Sequence, residues 1–259
     1  MLVYIYSDMT HDLNLKEVVG YLKRETLFEA DIRGDFLEYW AFPKELSKKL
    51  AGIIIKDYTK QNEINPNPSM KDISFETRLL ESKEPILFDA KHVYEGFELE
   101  RIFQGMIKGK GFHVVFTSRM LATWGGNRYH GRTIICSYPL ALISTTGLVE
   151  APARPREYYA RLLARQKAEQ MGFQVPDEEK FKEELKEEFK DRMLDYDERL
   201  TEVIKGYVLQ ALSFFLTQEA FCDDPGCRLY NAHTQEEMIN AQLKIRMICK
   251  RHRKILKGR

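Results

Sequence analysis

The sequence predicts an α/β or α+β fold, with a mixed sheet of four to six strands covered by packed helices. Three observations carry this. Short β-branched and aromatic runs recur through the first 150 residues. Between them, apolar residues fall at helical spacing. Beyond Pro152 and Pro155 the pattern is helical almost throughout. The expected organisation is an α/β sheet region over 1–150 and a helical region over 151–259, packed as one compact unit.

The elements follow in order. Leu2 to Tyr6 is mostly β-branched or aromatic and predicts a first strand. Leu15, Val18, Val19 and Leu22 predict a helix, Phe28 to Ile32 a second strand, and Asp35 to Leu50 a helix. From Asp57 to Ser74, Pro66 and Pro68 lie among Asn and Lys, which reads as a surface loop. Phe97, Leu99, Ile102, Phe103 and Met106 predict a helix over 95–107. A Gly-Lys-Gly turn then leads into Phe112 to Phe116, an apolar run suited to a buried strand. Residues 132–137 and 140–144 give two more strands. Helices are expected over 156–171 and 177–194, the second highly charged, with pairs such as Glu183 and Lys186 on a solvated face. The helix over 198–217 differs in character. Leu200, Ile204, Tyr207, Val208, Ala211 and Phe215 form an apolar stripe that should lie against the sheet.

Composition narrows the class. A chain of 259 residues buries a large core, and 40 Lys and Arg against 39 Asp and Glu leave a net charge of +1. No apolar run approaches the ~18–20 residues that span a bilayer, so no membrane segment is expected. Met1 runs directly into the first strand, without the basic start of a secretory leader. Four cysteines in a chain of this length do not make a secreted disulfide framework. A cytoplasmic protein with reduced thiols is expected.

Near the C-terminus, Cys222, Cys227, Cys249 and His252 read C-x4-C-x21-C-x2-H. Zinc takes thiolate and imidazole ligands in a tetrahedron, and closed Cys3His sites are structural. Pro225-Gly226 suits a type II turn that brings two thiols together. Thr234 to Glu237 reads as a capping box opening the last helix, on which Cys249 and His252 are neighbours at i, i+3. These four are the candidate ligands of a structural zinc, with His233 as a substitute fourth ligand. The plainer alternative is that the cysteines are small core residues.

Other candidates are weaker. Arg128, His130 and Arg132 lie beside Gly125, Gly126 and Gly131, either as a loop for phosphate or carboxylate or as a turn between strands. Glu150, Arg154, Arg156 and Glu157 flank two prolines, as a binding loop or a stiff connection. His233 and Glu236 are three apart at a helix start, which suits a cap more than an acid/base pair. Cys136 reads as core. The segment Lys244 to Arg259 holds eight Lys or Arg and no acid. Such a cluster can track a nucleic-acid backbone. Without interleaved aromatics it better suits a cation-rich helix end, so nucleic acid is not the expected partner.

The segment Phe221 to Glu237, with the later Cys249-x2-His252, resembles the C-terminal part of the archaemetzincins, zinc metallopeptidase-like proteins of archaea. There an H-E-x-x-H-x-x-G-x-x-H helix is followed at once by C-x4-C-x-M, and a late C-x2-C closes a structural zinc site. Here Leu229 stands in place of the Met, and His252 in place of the last Cys. Arg128 to Arg132 and Ile143 to Tyr159 are similar to signature stretches of an archaeal family described as metallopeptidases. Counting back from Cys222, the catalytic histidines of the resemblance fall at Ala211, Phe215 and Phe221, the glutamate at Leu212 and the turn glycine at Gln218. H-E-x-x-H occurs nowhere in the chain. The resemblance therefore implies a metzincin-like scaffold with a structural zinc and no catalytic set: a pseudo-peptidase that binds or scaffolds a protein or peptide ligand. The alternative expectation is a metal-dependent hydrolase built around Arg128, His130 and Glu150, with Arg154 and Arg156 as further contacts. A nucleic-acid-associated protein using the basic tail is the third.

Overall fold

The computed structural model describes residues 2–41, 45–86 and 88–258. Strand β1 (Leu2–Asp8), helix α1 (Leu15–Glu25) and β2 (Glu29–Asp35) form a parallel strand-helix-strand unit. Helices α2 (Phe36–Tyr39), α3 (Leu46–Gly52) and α4 (Met70–Ser82) follow, then β3 (Val93–Glu95) and α5 (Gly96–Gln104). Five strands come in succession: β4 (Phe112–Thr117), β5 (Met120–Gly125), β6 (Arg128–Arg132), β7 (Ile134–Ser137) and β8 (Leu140–Ser144). The rest is helical: α6 (Thr145–Glu150), α7 (Arg156–Gln170), α8 (Glu178–Phe189), α9 (Arg199–Thr217), α10 (Gln235–Ile239), a π-helical stretch (Asn240–Ile245) and α11 (Lys250–Lys257). None of the described helices is long and apolar enough to cross a membrane.

The main sheet has the order β2-β1-β4-β8-β7, parallel except for the antiparallel edge strand β7. A smaller sheet, β3-β5-β6, pairs β3 parallel and β6 antiparallel to β5. Successive strand residues point to opposite faces, so the main sheet supports two cores. On one face Val3, Ile5, Val114, Phe116, Ala141 and Ile143 pack against α1 and α9. On the other, Tyr6, Val115, Leu140 and Leu142 meet Phe36, Leu99 and Phe103. The mixed α/β architecture matches the sequence expectation, and α9 lies along the sheet through Val203, Ile204, Val208, Ala211 and Phe215.

A buried polar knot joins the two sheets just past the carboxyl ends of β1 and β4. Arg119 Nη1 donates to Glu76 at 2.9 Å, and Nε lies 3.4 Å from Asp8, with all three side chains fully buried. The Tyr94 ring covers the guanidinium at 4.8 Å, and Thr117 donates to Asp8 at 2.7 Å. The hydroxyls of Ser144, Thr145 and Thr146 donate to the carbonyls of Arg119, Thr117 and Ser118. Three backbone carbonyls at the β4–β5 connection are thereby capped by hydroxyls.

Several local expectations change. The helix expected over 35–50 divides into α2 and α3, and residues 42–44 of it lie outside the described residues. The loop expected over 57–74 ends at Ser69, which forms a capping box with Asp72 and starts α4. The segment Arg128 to Arg132 is a strand, not a loop. Gly126, at φ 74, makes the turn before it, a conformation glycine reaches at no steric cost. The final helix is not continuous. It ends at Arg246 in the left-handed region (φ 57), and Cys249 caps a separate α11.

Candidate metal centre and adjoining cleft

Cys222 and Cys227 flank a tight turn in which Cys227 N donates to Asp224 O at 3.0 Å. Gly226 does not take the positive φ that a type II turn requires, so the turn is of another type than the sequence suggested. Asp224 Oδ1 holds it closed by accepting from Gly226 N at 2.8 Å. Cys249 is extended at the start of α11, and His252 lies within the first turn. The ligand atoms of Cys222, Cys227, Cys249 and His252 all fall within 4.8 Å of one another.

These distances fit a tetrahedral ion. Ligands ~2.3 Å (sulfur) and ~2.0 Å (nitrogen) from a central zinc lie roughly 3.5–3.8 Å apart. Cys222 Sγ and Cys249 Sγ are separated by 3.9 Å, Cys227 Sγ and His252 Nδ1 by 3.9 Å, and Cys249 Sγ and His252 Nδ1 by 3.2 Å. Leu229 N and Cys249 N both point at Cys227 Sγ, at 3.5 and 3.4 Å, as donors to a thiolate would. Burial, helped by the neighbouring thiols, pushes the Cys227 thiol up to about 12. Burial, with Arg251 second, lowers His252, which favours the neutral imidazole. A neutral imidazole is the ligating form, and a divalent cation reverses the cost of gathering three thiolates. The donor set suits zinc. His233, the substitute ligand, is exposed and stands outside this cluster. Its backbone N–H is held instead by Glu237 at 2.8 Å, as part of the α10 cap.

The segment that leaves the metal centre borders a cleft of about 520 Å³. Its lining comes from the wall segment Tyr230 to His233, from Tyr207 and Gln210 of α9, and from residues of β6 and the edge strand β7. Of the positions matched to catalytic residues, only Phe221 reaches this cleft. Ala211, Leu212 and Phe215 are buried in the core under the sheet, and Phe215 stacks on Phe112 at 4.7 Å. Gln210, missed in the sequence, is 1% exposed, and its Oε1 has no partner among the described residues. A lone amide in the otherwise apolar run from Tyr207 to Leu212 was the available signal.

The remaining candidates do not converge. His130 and His233 line this cleft. Glu150 and Arg154 form an ion pair at 2.8 Å that borders a different cleft, of about 770 Å³, beside α8. Arg128 and Arg156 are exposed at the starts of β6 and α7 and line neither. The single site expected around Arg128, His130, Glu150, Arg154 and Arg156 is thus split, because the 149–154 segment contributes Ala151 and Pro152 to one cleft and Val149, Glu150 and Arg154 to the other. Cys136 lines the first cleft with its thiol pushed upward by burial. In the basic tail, Arg251 pairs with Glu219 and Lys257 with Glu25, while Arg259 lies outside the described residues.

The chain belongs to the probable metallopeptidase family DUF6775, whose family model matches residues 1–259. A comparison with the curated proteins finds no match. Among solved structures it is similar to archaemetzincin from Methanopyrus kandleri, at 14% identity and a TM-score of 0.46, over 99% of this chain and 93% of that one. It is also similar to a zinc-dependent peptidase from Methanocorpusculum labreanum, at 12% identity and a TM-score of 0.43, over 98% of this chain and 100% of that one.

Proposed function

We propose that this chain is a pseudo-peptidase: it keeps a metallopeptidase-family scaffold and one structural zinc, and uses the cleft beside α9 to hold an extended protein segment without cutting it. One observation carries the reading. Among the described residues, the one group of three or more potential ligands that converges is Cys222, Cys227, Cys249 and His252. That set fills a tetrahedron with protein atoms and leaves no position for a reactive water, as a catalytic zinc requires.

The cleft supports the binding half. β7 pairs with β8 on one side only. Ser144 N donates to Thr133 O at 2.9 Å, which makes the pairs opposite Leu142 and Leu140 the hydrogen-bonded ones. The N–H and C=O groups of Ile134 and Cys136 therefore face the open edge, and both residues line the cleft. An extended peptide laid there adds a strand, with main-chain bonds for affinity and side-chain subsites for selection. In this reading the zinc fastens α11 and the wall from Tyr230 to His233, and the compartment is cytoplasmic, where the thiols stay reduced.

Metal analysis combined with a cleavage assay tests the proposal. The expected result is one zinc per chain, lost in Cys222→Ser, and no cleavage of a quenched-fluorescence peptide library with or without added zinc. A second stoichiometric metal, or cleavage abolished by a chelator, would overturn it.

A further inference from the structure

We infer that the segment held in the β7 cleft carries an acidic side chain, with Arg132 as its counter-charge. The inference rests on the peptide-binding reading above and adds selectivity to it. No residue lining the cleft bears a carboxylate, although the chain has 39 of them. The other mapped clefts each include at least one: Glu45 in one, Glu150 in a second, Asp12 in a third.

Arg132 closes β6 at the rim. Its Nε donates to Thr123 Oγ1 at 2.7 Å, which fixes the plane of the guanidinium. Among the described residues no carboxylate lies within ion-pair distance of it, unlike Arg119, Arg154, Arg199 and Arg228. An arginine anchored through Nε and otherwise unpaired presents its outer nitrogens as a fork, the geometry that takes a carboxylate in two parallel bonds. His130 stands two residues away on the same face of β6, its Nε2 3.1 Å from Gly125 O. His233 lines the cleft with them.

Gln210 of α9 ties the opposite lining segment in place, its Nε2 donating to Tyr230 O at 3.4 Å. The cleft thus offers an open strand edge and, at its exposed rim, a positive charge held in one plane. A peptide with a lysine at the same place meets only like charge there.

Three extended hexapeptides, identical except for a central Glu, Gln or Lys, test this by fluorescence anisotropy on the zinc-loaded full chain. The Glu peptide should bind about threefold more tightly than the Gln peptide, in line with an exposed ion pair, and the Lys peptide most weakly. Arg132→Gln should erase the Glu preference, so that the variant binds the Glu and Gln peptides equally, and Arg132→Lys should restore part of it. Unaltered zinc content and melting temperature certify both variants as folded. Equal binding of all three peptides overturns the acidic preference and leaves peptide binding standing. Retention of the Glu preference in Arg132→Gln also overturns it. Failure of every peptide to bind removes the peptide-binding reading itself.

Discussion

Cys249 Sγ lies 3.2 Å from His252 Nδ1, although Cys249 is extended and His252 is helical. The chain turns into α11 at that point, so the contact is made by a helix entry and not by two residues on one helix face. That entry also aims Cys249 N at Cys227 Sγ.

Zinc affinity should depend on each of the four side chains. Loss of an outer-shell partner alone costs ~10–100-fold in affinity, so Cys227→Ser or His252→Gln should cost more than about 100-fold. Competition with a chromophoric chelator measures this. Cys136→Ser should leave zinc content unchanged, because that thiol is outside the cluster.

Arg119 faces the carboxyl groups of Asp8 and Glu76, both closed off from water, and burial pushes Asp8 upward. Arg119→Met should lower stability by about 3–5 kcal/mol, the cost of stranding buried charge. Urea unfolding reads this directly. Adding Glu76→Gln to that variant should recover part of the loss, since the two sites share one network.

Acid should weaken the fold through His113. Burial first, and Arg33 second, lower this imidazole from 6.5 to about 4, while Tyr6 bonds its Nδ1 at 3.1 Å. Between those values the unfolded chain takes up a proton that the native state refuses. The unfolded state binds more protons there, so stability falls as pH drops through the window. Urea titrations at stepped pH should show this slope, and His113→Gln should flatten it.

Gly206 lies inside α9, where alanine is ordinarily the better helix former by about 1 kcal/mol. Here an added Cβ would stand 1.8 Å from Gln242 Oε1. Gln242 is buried and tied to Arg228 through Arg228 O at 2.8 Å. Gly206→Ala should therefore destabilise the protein by about 1–3 kcal/mol, as overpacking does. Thermal melting decides the sign.

Much of this was legible in the sequence where local pattern and tertiary role agree. The apolar run Phe112 to Phe116 gives β4, and the stripe from Leu200 to Phe215 gives α9. The convergence of Cys222, Cys227, Cys249 and His252 was legible because cysteine and histidine spacing survives whatever turn type joins them. Helix α4 was obscured by prolines upstream, although Ser69 and Asp72 already spelled its cap. Strand β6 was obscured because its arginines and glycine look like a loop until β5 pairs with it. The cleft was illegible for a different reason. His130, Gln210 and His233 meet only after the chain has crossed both sheets, and no spacing encodes that. The same holds for Asp8, Glu76 and Arg119, which come from three separate elements.

The wall from Tyr230 to His233 hangs between two moorings: Tyr230 N and Asn231 N donate to the carbonyls of Cys227 and Cys222 on one side, and the Thr234–Glu237 cap holds the other. Cys222, Cys227 and Leu229 belong to the same hydrocarbon layer as Val3, Ile5, Val114 and Phe116 of the sheet. A change at this cysteine turn is therefore felt twice, in the hanging segment and in the packing behind the strands.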